Sequence, residues 1–311
     1  MSVITKKGSK KAMQETGADK AFHIANSVFW IIVMLLILYP LYLVIIASVS
    51  DPDAILRGEV IWHPVGFSLR GYKAVLAYDQ LLRSYLNSIV YTVVGTVISI
   101  CVTLAAAYSL SRPKMPGKPF FNMYFVFTMF FSGGLIPTFL VMRDIGLYDN
   151  PLILVLMGGV TVWNLMVART FIQTTIPHEL YEAAMLDGAG HFTYFFKIVM
   201  PLCKTIIAVL AVYYGVARWN DYFTGLVYMR TRELFPLQTV LREVLATLQV
   251  DRGSDFMLTM ADNAESLQEA TKTANVAKYA IIVISTGPVA VLYMFMQKHF
   301  EKGVMIGSLK G

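Results

Sequence analysis

The stretch from Tyr181 to Leu202 separates two long apolar segments, yet it is not composed like an ordinary loop. Pro177 suits the first turn of a helix, and Glu182 falls early in that helix, where its dipole favours negative charge. Gly188 then supplies a sharp turn before a second, aromatic-rich segment. We therefore predict two short helices joined by a glycine turn on the membrane surface. Their carboxylates and two adjacent alanines would be available to a partner.

A second polar cluster lies toward the end of the fifth apolar segment. Aromatic rings can stack on the apolar faces of sugars, and Asn and Asp side chains can bind sugar hydroxyls. Arg218 and Asp221 are three residues apart, which predicts an ion pair on one helix face. The cluster is interpreted either as a wall of a translocation cavity or as an interfacial aromatic belt with a structural ion pair. The candidate cavity residues are Tyr213, Tyr214, Arg218, Trp219, Asn220, Asp221 and Tyr222, with Trp163 and Asn164 from the preceding segment.

No residue pattern indicates covalent chemistry. The two cysteines, Cys101 and Cys203, do not imply a disulfide framework. The sequence contains no Walker-type phosphate loop and no metal-ligand cluster with familiar spacing. We expect no catalytic residue, no metal and no cofactor on this chain. If ATP powers the protein, another subunit binds ATP and Mg.

The composition indicates a protein with several membrane-spanning helices. The 311 residues are 56% hydrophobic and 15% charged, whereas a soluble domain averages about 25% charged residues. The apolar residues form six segments long enough to span a bilayer as helices, at 25–49, 85–110, 119–142, 151–173, 202–228 and 276–297. We predict an all-α integral membrane protein with one six-helix domain over 25–297 and polar tails at 1–24 and 298–311.

The distribution of charge predicts the orientation of these helices. Segments 1–24, 111–118, 169–204 and 298–311 carry 14 Lys and Arg against 6 Asp and Glu, while the remaining connections carry 11 against 13. Lys and Arg near the ends of spans favour the cytoplasmic side. We therefore expect both termini and the Tyr181–Leu202 stretch in the cytoplasm.

Glycines and prolines interrupt three of the apolar segments, at Ser132–Gly134, Gly158-Gly159 and Gly287-Pro288. Small residues allow close packing of helices, and breaks in a span can also act as hinges. We favour close packing with a kink, and the hinge remains the alternative.

The longest outer connection, 229–275, has two parts. Apolar residues from Leu237 to Leu248 recur at helical spacing after Pro236, which predicts an amphipathic helix. From Gln249 to Ala274 the chain is polar and has no clear period.

The pattern around the surface stretch resembles the EAA loop of permease subunits in bacterial ABC importers. The residues that carry the resemblance are Glu182, Ala183, Ala184, Asp187, Gly188, Ala189, Ile198 and Pro201. Less specific segments resemble MalG-like carbohydrate-uptake permeases, most closely the YtcP/LplC branch: Pro40, Ser48–Asp51, Asn87–Ile89, Gly133–Pro137, Trp219-Asn220 and 302–311. The resemblance covers roughly residues 20–311. It implies the transmembrane fold of a type I ABC importer, in which loop 174–201 forms a cytoplasmic coupling helix and the eight EAA residues contact an ATPase.

By the same resemblance, the chain is a subunit of an ATP-driven, binding-protein-dependent importer that moves oligosaccharides across the bacterial cell membrane by alternating access. The implied partners are a second permease, two ATPase subunits, an extracytoplasmic solute-binding protein and the lipid bilayer, with no nucleic acid. An importer of peptides or amino acids with the same architecture remains an alternative. A secondary transporter would need a buried acidic ion site, and no Asp or Glu lies at mid-depth in the six segments.

Overall fold

The computed structural model of the protein describes residues 16–76, 79–250, 272, 276–295 and 297. All regular elements within these ranges are helical, as the composition predicted. A π-helical stretch spans Phe195–Val199, and a 3-10 turn spans Arg232–Leu234. The helices are α1 (Gly17–Ser48), α2 (Pro52–Leu56), α3 (Arg70–Leu76), α4 (Asp79–Ser111), α5 (Lys118–Phe130), α6 (Leu135–Asp144), α7 (Leu152–Leu156), α8 (Val162–Thr175), α9 (His178–Leu186), α10 (His191–Tyr194), α11 (Met200–Leu202), α12 (Lys204–Trp219), α13 (Phe223–Tyr228), α14 (Leu237–Val250) and α15 (Val276–Phe295).

Three helices, α1, α4 and α15, are long and apolar enough to cross a membrane. Two pairs of helices also qualify if each pair counts as one bent span. The chain bends by 117° between α5 and α6, and by 78° between His191–Leu202 and α12. The described residues therefore provide three to five candidate spans. The predicted fourth span, 151–173, is not among them, because it is divided between α7 and α8. The predicted count of six spans stays a prediction.

The break between α5 and α6 shows what its glycines do. Gly134 has φ +83°, in the left-handed region that glycine tolerates best. No heavy atom lies within 4 Å of where a Cβ would stand on it. Gly134 therefore turns the chain, and the close packing that we favoured is wrong for this residue within the described structure. Helix α15 continues through Gly287 and Pro288, so the chain does not break there, and the kink stays a prediction.

Helix α4 is the centre of the fold and packs against both α8 and α12. The largest cluster of buried side chains joins these three helices to the surface helices α9 and α10. We call this cluster the main core. Its buried members include Leu104, Ala107, Leu110, Leu165, Ala168, Ile172, Ala184, Tyr194, Ile206 and Leu210.

The long helices bury only part of their apolar surface within this chain. Helix α1 buries Ile46, Ala47 and Ser48 at its end, and most of its other side chains are exposed. Exposed apolar surface of this extent indicates contact with lipid or with another subunit.

Candidate coupling and translocation sites

The predicted helix, glycine turn and second helix are confirmed. Pro177 directly precedes α9, and Asp187 is the C-cap residue that ends it. Gly188 follows with φ +79°. The amide of Ala189 then donates to the carbonyl of Ala184 at 2.9 Å, which closes the turn. This is the left-handed glycine ending that satisfies the last carbonyls of a helix.

Helix α9 has one face toward the main core and one face away from it. Ala184 is buried, and Tyr181 and Met185 pack against the main core. On the other side Glu182, Ala183 and Asp187 are exposed, and Leu186 is 89% exposed. We call these four residues, together with Gly188, the exposed face of α9.

The two alanines therefore do not form the single surface that we predicted. Adjacent residues of a helix point about 100° apart, so Ala183 lies outside while Ala184 is buried. The sequence analysis missed Leu186. Its spacing of three and four residues from Ala183 and Glu182 would have placed it on the same face.

Two of the remaining EAA residues face the interior of the chain, and the third, Pro201, is exposed. Ala189 and Ile198 pack against the main core, as does the fully buried Tyr194. The ring centroid of Tyr194 lies 5.3 Å from that of Tyr181 and 6.2 Å from that of Tyr108 on α4. Pro201 stands in α11, where the chain bends toward α12. The surface stretch is thus attached to the spans through apolar and aromatic packing.

Three of the nine candidate cavity residues are buried. Trp219 is 5% exposed, and its indole N–H donates to the carbonyl of Ser285 on α15 at 2.8 Å. Tyr214 is 2% exposed and shares a hydrogen bond with Thr103 on α4 at 2.7 Å. Asn164 is buried in α8. Trp219 and Tyr214 therefore join helices to one another, and all three side chains are buried within the chain.

Arg218 does not form the predicted ion pair with Asp221. Its guanidinium donates to the carbonyl of Leu154 at 2.9 Å and to the hydroxyl of Ser99 at 2.8 Å. The carboxylate of Asp221 instead accepts from the amide of Thr224 at 3.0 Å, at the start of α13. Arg218 therefore binds the carbonyl end of the short helix α7, where a cation interacts favourably with the helix dipole.

Helix α12 holds the break between α7 and α8 at two points. Arg218 binds the carbonyl end of α7, while the Tyr214 hydroxyl accepts from the amide of Thr161, the N-cap of α8, at 3.3 Å. The two side chains are one helical turn apart, and their partners on α4, Ser99 and Thr103, are also one turn apart. We call this arrangement the double clamp. It supplies the hydrogen bonds that a broken span would otherwise lack in the membrane.

A glycine on α4 makes room for the clamp. A Cβ added to Gly95 would lie 2.7 Å from Nε and 2.8 Å from the central carbon of the Arg218 guanidinium. A Cβ essentially never lies this close to a non-bonded atom, so a larger residue would displace the arginine.

The other candidates are more accessible. Trp163 is 62% exposed, Tyr213 is 47% exposed, and Asn220 is exposed. Tyr222 is half-buried beneath the guanidinium of Arg242, 4.3 Å from its ring centroid. The nine residues thus divide between internal helix contacts and an exposed set, and Trp163, Tyr213 and Asn220 are the ones open to a substrate or a partner.

Near the start of α4, a set of hydrogen bonds around Asp149 and Asn87 fixes the chain after α13, and we call it the outer staple after the side on which the sequence predicts it. Asp149 has φ 53°, and its carboxylate accepts from the amides of Arg230 and Thr231 at 2.8 Å each. Asn87 on α4 donates to the carbonyl of Glu233 at 2.8 Å. The bonds from the Thr231 and Arg230 amides lower the pKa of the Asp149 carboxyl. The sequence analysis did not identify this staple, because its acceptor lies about 80 residues from its donors.

The predicted amphipathic helix is confirmed as α14. Leu237, Val240 and Leu241 are all buried against the rest of the chain. The polar part of this connection, from 251 to 271, lies outside the described residues.

Comparisons with known proteins agree with this architecture. The model of the family described as "Binding-protein-dependent transport system inner membrane component" matches residues 18–306. Protein LplC of Bacillus subtilis (strain 168) is 36% identical over 299 residues, which cover 96% of this chain and 98% of that protein. The polygalacturonan/rhamnogalacturonan transport system permease protein YtcP of the same organism is 35% identical over 283 residues, 91% of this chain and 96% of that protein.

A solved structure gives the same result for the fold. A chain in the crystal structure of a bacterial ABC transporter involved in the import of the acidic polysaccharide alginate superposes with a TM-score of 0.82. It is 33% identical, and the match covers 92% of this chain and 99% of that chain. The helices described above therefore form the transmembrane fold of a type I ABC importer.

These matches exclude the secondary transporter. Subunits of this family are not enzymes themselves, since ATP hydrolysis resides in a separate ATPase subunit that works with a solute-binding protein. The chain belongs to the binding-protein-dependent transport system inner membrane component family and is a multi-pass inner-membrane permease subunit of an ABC importer.

Proposed function

We propose that this permease imports oligosaccharides together with a second permease subunit. The relative YtcP is named for the transport of two polysaccharides, and the solved transporter is involved in the import of a third, alginate. The exposed aromatic rings of Trp163 and Tyr213 suit the apolar faces of sugar rings. Together with the exposed Asn220, they would line a path at the boundary between the two permeases. Peptides and amino acids are the competing substrates.

We further propose that both termini and loop 174–201 lie in the cytoplasm, and that the exposed face of α9 enters a cleft of the ATPase. ATP and Mg are bound by that ATPase, and this chain binds no cofactor. The solute-binding protein docks on the opposite side, near the connection 229–275. The charge distribution along the sequence supports this orientation.

The observation that carries the proposal is the two-sided character of α9. Its exposed face includes Leu186, while Tyr181, Ala184 and Met185 pack into the main core. Protein interiors are close-packed and transmit displacement. A movement imposed on the exposed face would therefore move α9 together with α4, α8 and α12. ATP can drive this cycle only by differential affinity for its inward-open and outward-open states.

The test is uptake by the complete complex in proteoliposomes. The complex contains this chain, a sister permease, the ATPase and a binding protein loaded with neutral or acidic oligosaccharides or with short peptides. We expect oligosaccharide uptake and stimulated ATP hydrolysis. Leu186→Asp should abolish both, because it puts a charge on an apolar docking contact. Leu56→Asp is the matched control, since Leu56 is 51% exposed at the end of α2.

Two results would contradict the proposal. Peptide uptake without oligosaccharide uptake would preserve the importer and overturn the substrate. Normal uptake by Leu186→Asp would show that the exposed face of α9 does not couple to the ATPase.

A further inference from the structure

A cavity of about 700 Å³ lies beside α9 and shares Glu182 with the exposed face of that helix. It is enclosed by the last turns of α4, the connection 112–116, α9 and the chain from His191 to Phe196. Its wall is largely aromatic, and the connection adds basic side chains at one end. The residues that define its character are Tyr108, Arg112, Lys114, Tyr181, Phe192 and Phe195.

The basic end of the cavity is built around Arg112. The guanidinium carbon of Arg112 lies 4.8 Å from the ring centroid of Tyr108 and 5.4 Å from that of Tyr181. Its Nε and Nη2 both donate to the Ser111 hydroxyl at 3.2 Å. Tyrosine rings attract a cation over their faces and hold it in place. Across the described parts of the chain, no carboxylate lies within 4 Å of this guanidinium.

The other charges at this end leave it positive. Lys114 is exposed beside Arg112. Glu182 is the acidic side chain of the lining, and its carboxylate lies 3.7 Å from Nε2 of His178. In addition, the Tyr108 hydroxyl is buried and has no hydrogen-bond partner among the described residues. The basic end is therefore suited to an anion.

The opposite end of the cavity is apolar and points back along a membrane span. Ala105 lines it, six residues before the end of α4, which is about 9 Å along the helix. Cys101 and Val102, about one turn further, are exposed on the same helix. Phe196, on the facing segment, is 61% exposed. The cavity thus changes from cationic at the membrane surface to apolar toward the bilayer interior.

We propose that an anionic phospholipid of the phosphatidylglycerol class occupies this cavity. Its phosphate binds Arg112 and Lys114, and its acyl chain lies along Phe195, Phe196 and the exposed side of α4. Basic pockets at the cytoplasmic ends of spans are suited to such headgroups, and this placement rests on the orientation given in the proposed function. Because Tyr181 belongs to both the cavity and α9, the bound lipid stabilises the position from which α9 meets the ATPase.

The test compares native complex with charge variants, using two measurements. The first is the phosphatidylglycerol retained per complex after detergent extraction, measured by mass spectrometry against phosphatidylcholine. The second is stimulated ATP hydrolysis in nanodiscs of phosphatidylcholine with and without phosphatidylglycerol. We expect native complex to retain phosphatidylglycerol preferentially and to be several-fold more active when it is present.

The double variant Arg112→Gln/Lys114→Gln should lose both effects. Lys114→Gln alone changes an exposed side chain that is not packed, so it should lose part of each effect without any folding defect. Arg112→Lys should restore part of them, because it keeps the charge. Lys197→Gln is the matched control, since Lys197 is an exposed cation on the facing segment that does not line the cavity.

Equal phosphatidylglycerol retention by native complex and an assembled double variant would overturn the proposal. Full activation in phosphatidylcholine nanodiscs by soluble glycerol phosphate would assign the cavity to a free anion and overturn it as well. Lipid retention requires no coupling, so retained phosphatidylglycerol without stimulated hydrolysis would contradict the proposed function instead.

Discussion

The inner surface stretch and the outer staple are attached to the same helix, α4, by different forces. The inner stretch is held by apolar and aromatic contacts, such as those of Tyr194 and Ala184 in the main core. The outer staple is held by hydrogen bonds from Asn87 and to Asp149. Packing is not directional, so a packed body can move without losing its contacts, whereas hydrogen bonds fix one backbone geometry. One end of α4 is thus held by packed surfaces that can transmit a displacement, and the other end by directional bonds that hold the backbone in place.

The largest expected effect comes from breaking the packed attachment. Tyr194→Ala removes a fully buried ring between α10 and α4. Truncation of a large buried aromatic residue costs about 3–5 kcal/mol. We expect a lower thermal unfolding midpoint of the purified subunit and loss of stimulated ATP hydrolysis. Phe192→Ala, at a side chain that is 82% exposed, should leave the midpoint nearly unchanged. Equal midpoints for the two variants would mean that packing does not attach the inner stretch.

A smaller effect is expected between the two ends, at the double clamp. Gly95→Ala forces a methyl group against the Arg218 guanidinium. Overpacking of this kind costs about 1–3 kcal/mol. We expect reduced thermal stability and faster hydrogen exchange at residues 157–161, which should lose their fixed partner. Gly287→Ala is the control, because no atom lies within 4 Å of its added Cβ. Unchanged exchange in Gly95→Ala would show that the clamp does not hold the break.

The smallest effect is local and concerns the outer staple. Asp149→Ala removes the acceptor of the Arg230 and Thr231 amides. We expect faster hydrogen exchange at those two amides with little change in global stability. Asp144→Ala is the control. It removes an exposed carboxylate that pairs with its neighbour Arg143, so it should leave hydrogen exchange at the Arg230 and Thr231 amides unchanged. Slow exchange in Asp149→Ala would mean that other contacts fix the outer end.

The staple also has a predicted pH dependence. The folded-state pKa of Asp149 is lowered by the Thr231 and Arg230 amides. A lowered pKa contributes stability above the unfolded-state value of about 3.9, and this contribution is lost as the pH falls through the folded-state pKa. Protection of the Thr231 amide should therefore persist at neutral pH and decrease below about pH 4. The Asp149→Ala protein should show no such step.

Sequence patterns predicted the elements whose determinants are local. The repeat of Leu237, Val240 and Leu241 predicted α14, because helical period and burial coincide there. The position of Gly188 predicted the turn after α9, since a left-handed backbone favours glycine. Local composition therefore sufficed for the helix–turn–helix of the coupling stretch.

Sequence patterns did not predict side-chain contacts between residues far apart in the chain, or contacts that depend on where a helix ends. The spacing of Arg218 and Asp221 implied an ion pair only if the helix continued, but α12 ends at Trp219. Arg218 instead binds the carbonyl of Leu154, which is available because the fourth segment is broken after α7, and the hydroxyl of Ser99 on α4. No pairwise spacing along the chain could have identified these contacts.

The double clamp also has a consequence for biosynthesis. Ser99 and Thr103 are buried on α4, but their partners on α12 follow 119 and 111 residues later in the chain. Helices α1 and α4 are both apolar enough to cross a membrane, but these two hydroxyls of α4 gain their partners only once α12 has been made. A chain that ends before α12 should therefore leave Ser99 without Arg218 and Thr103 without Tyr214.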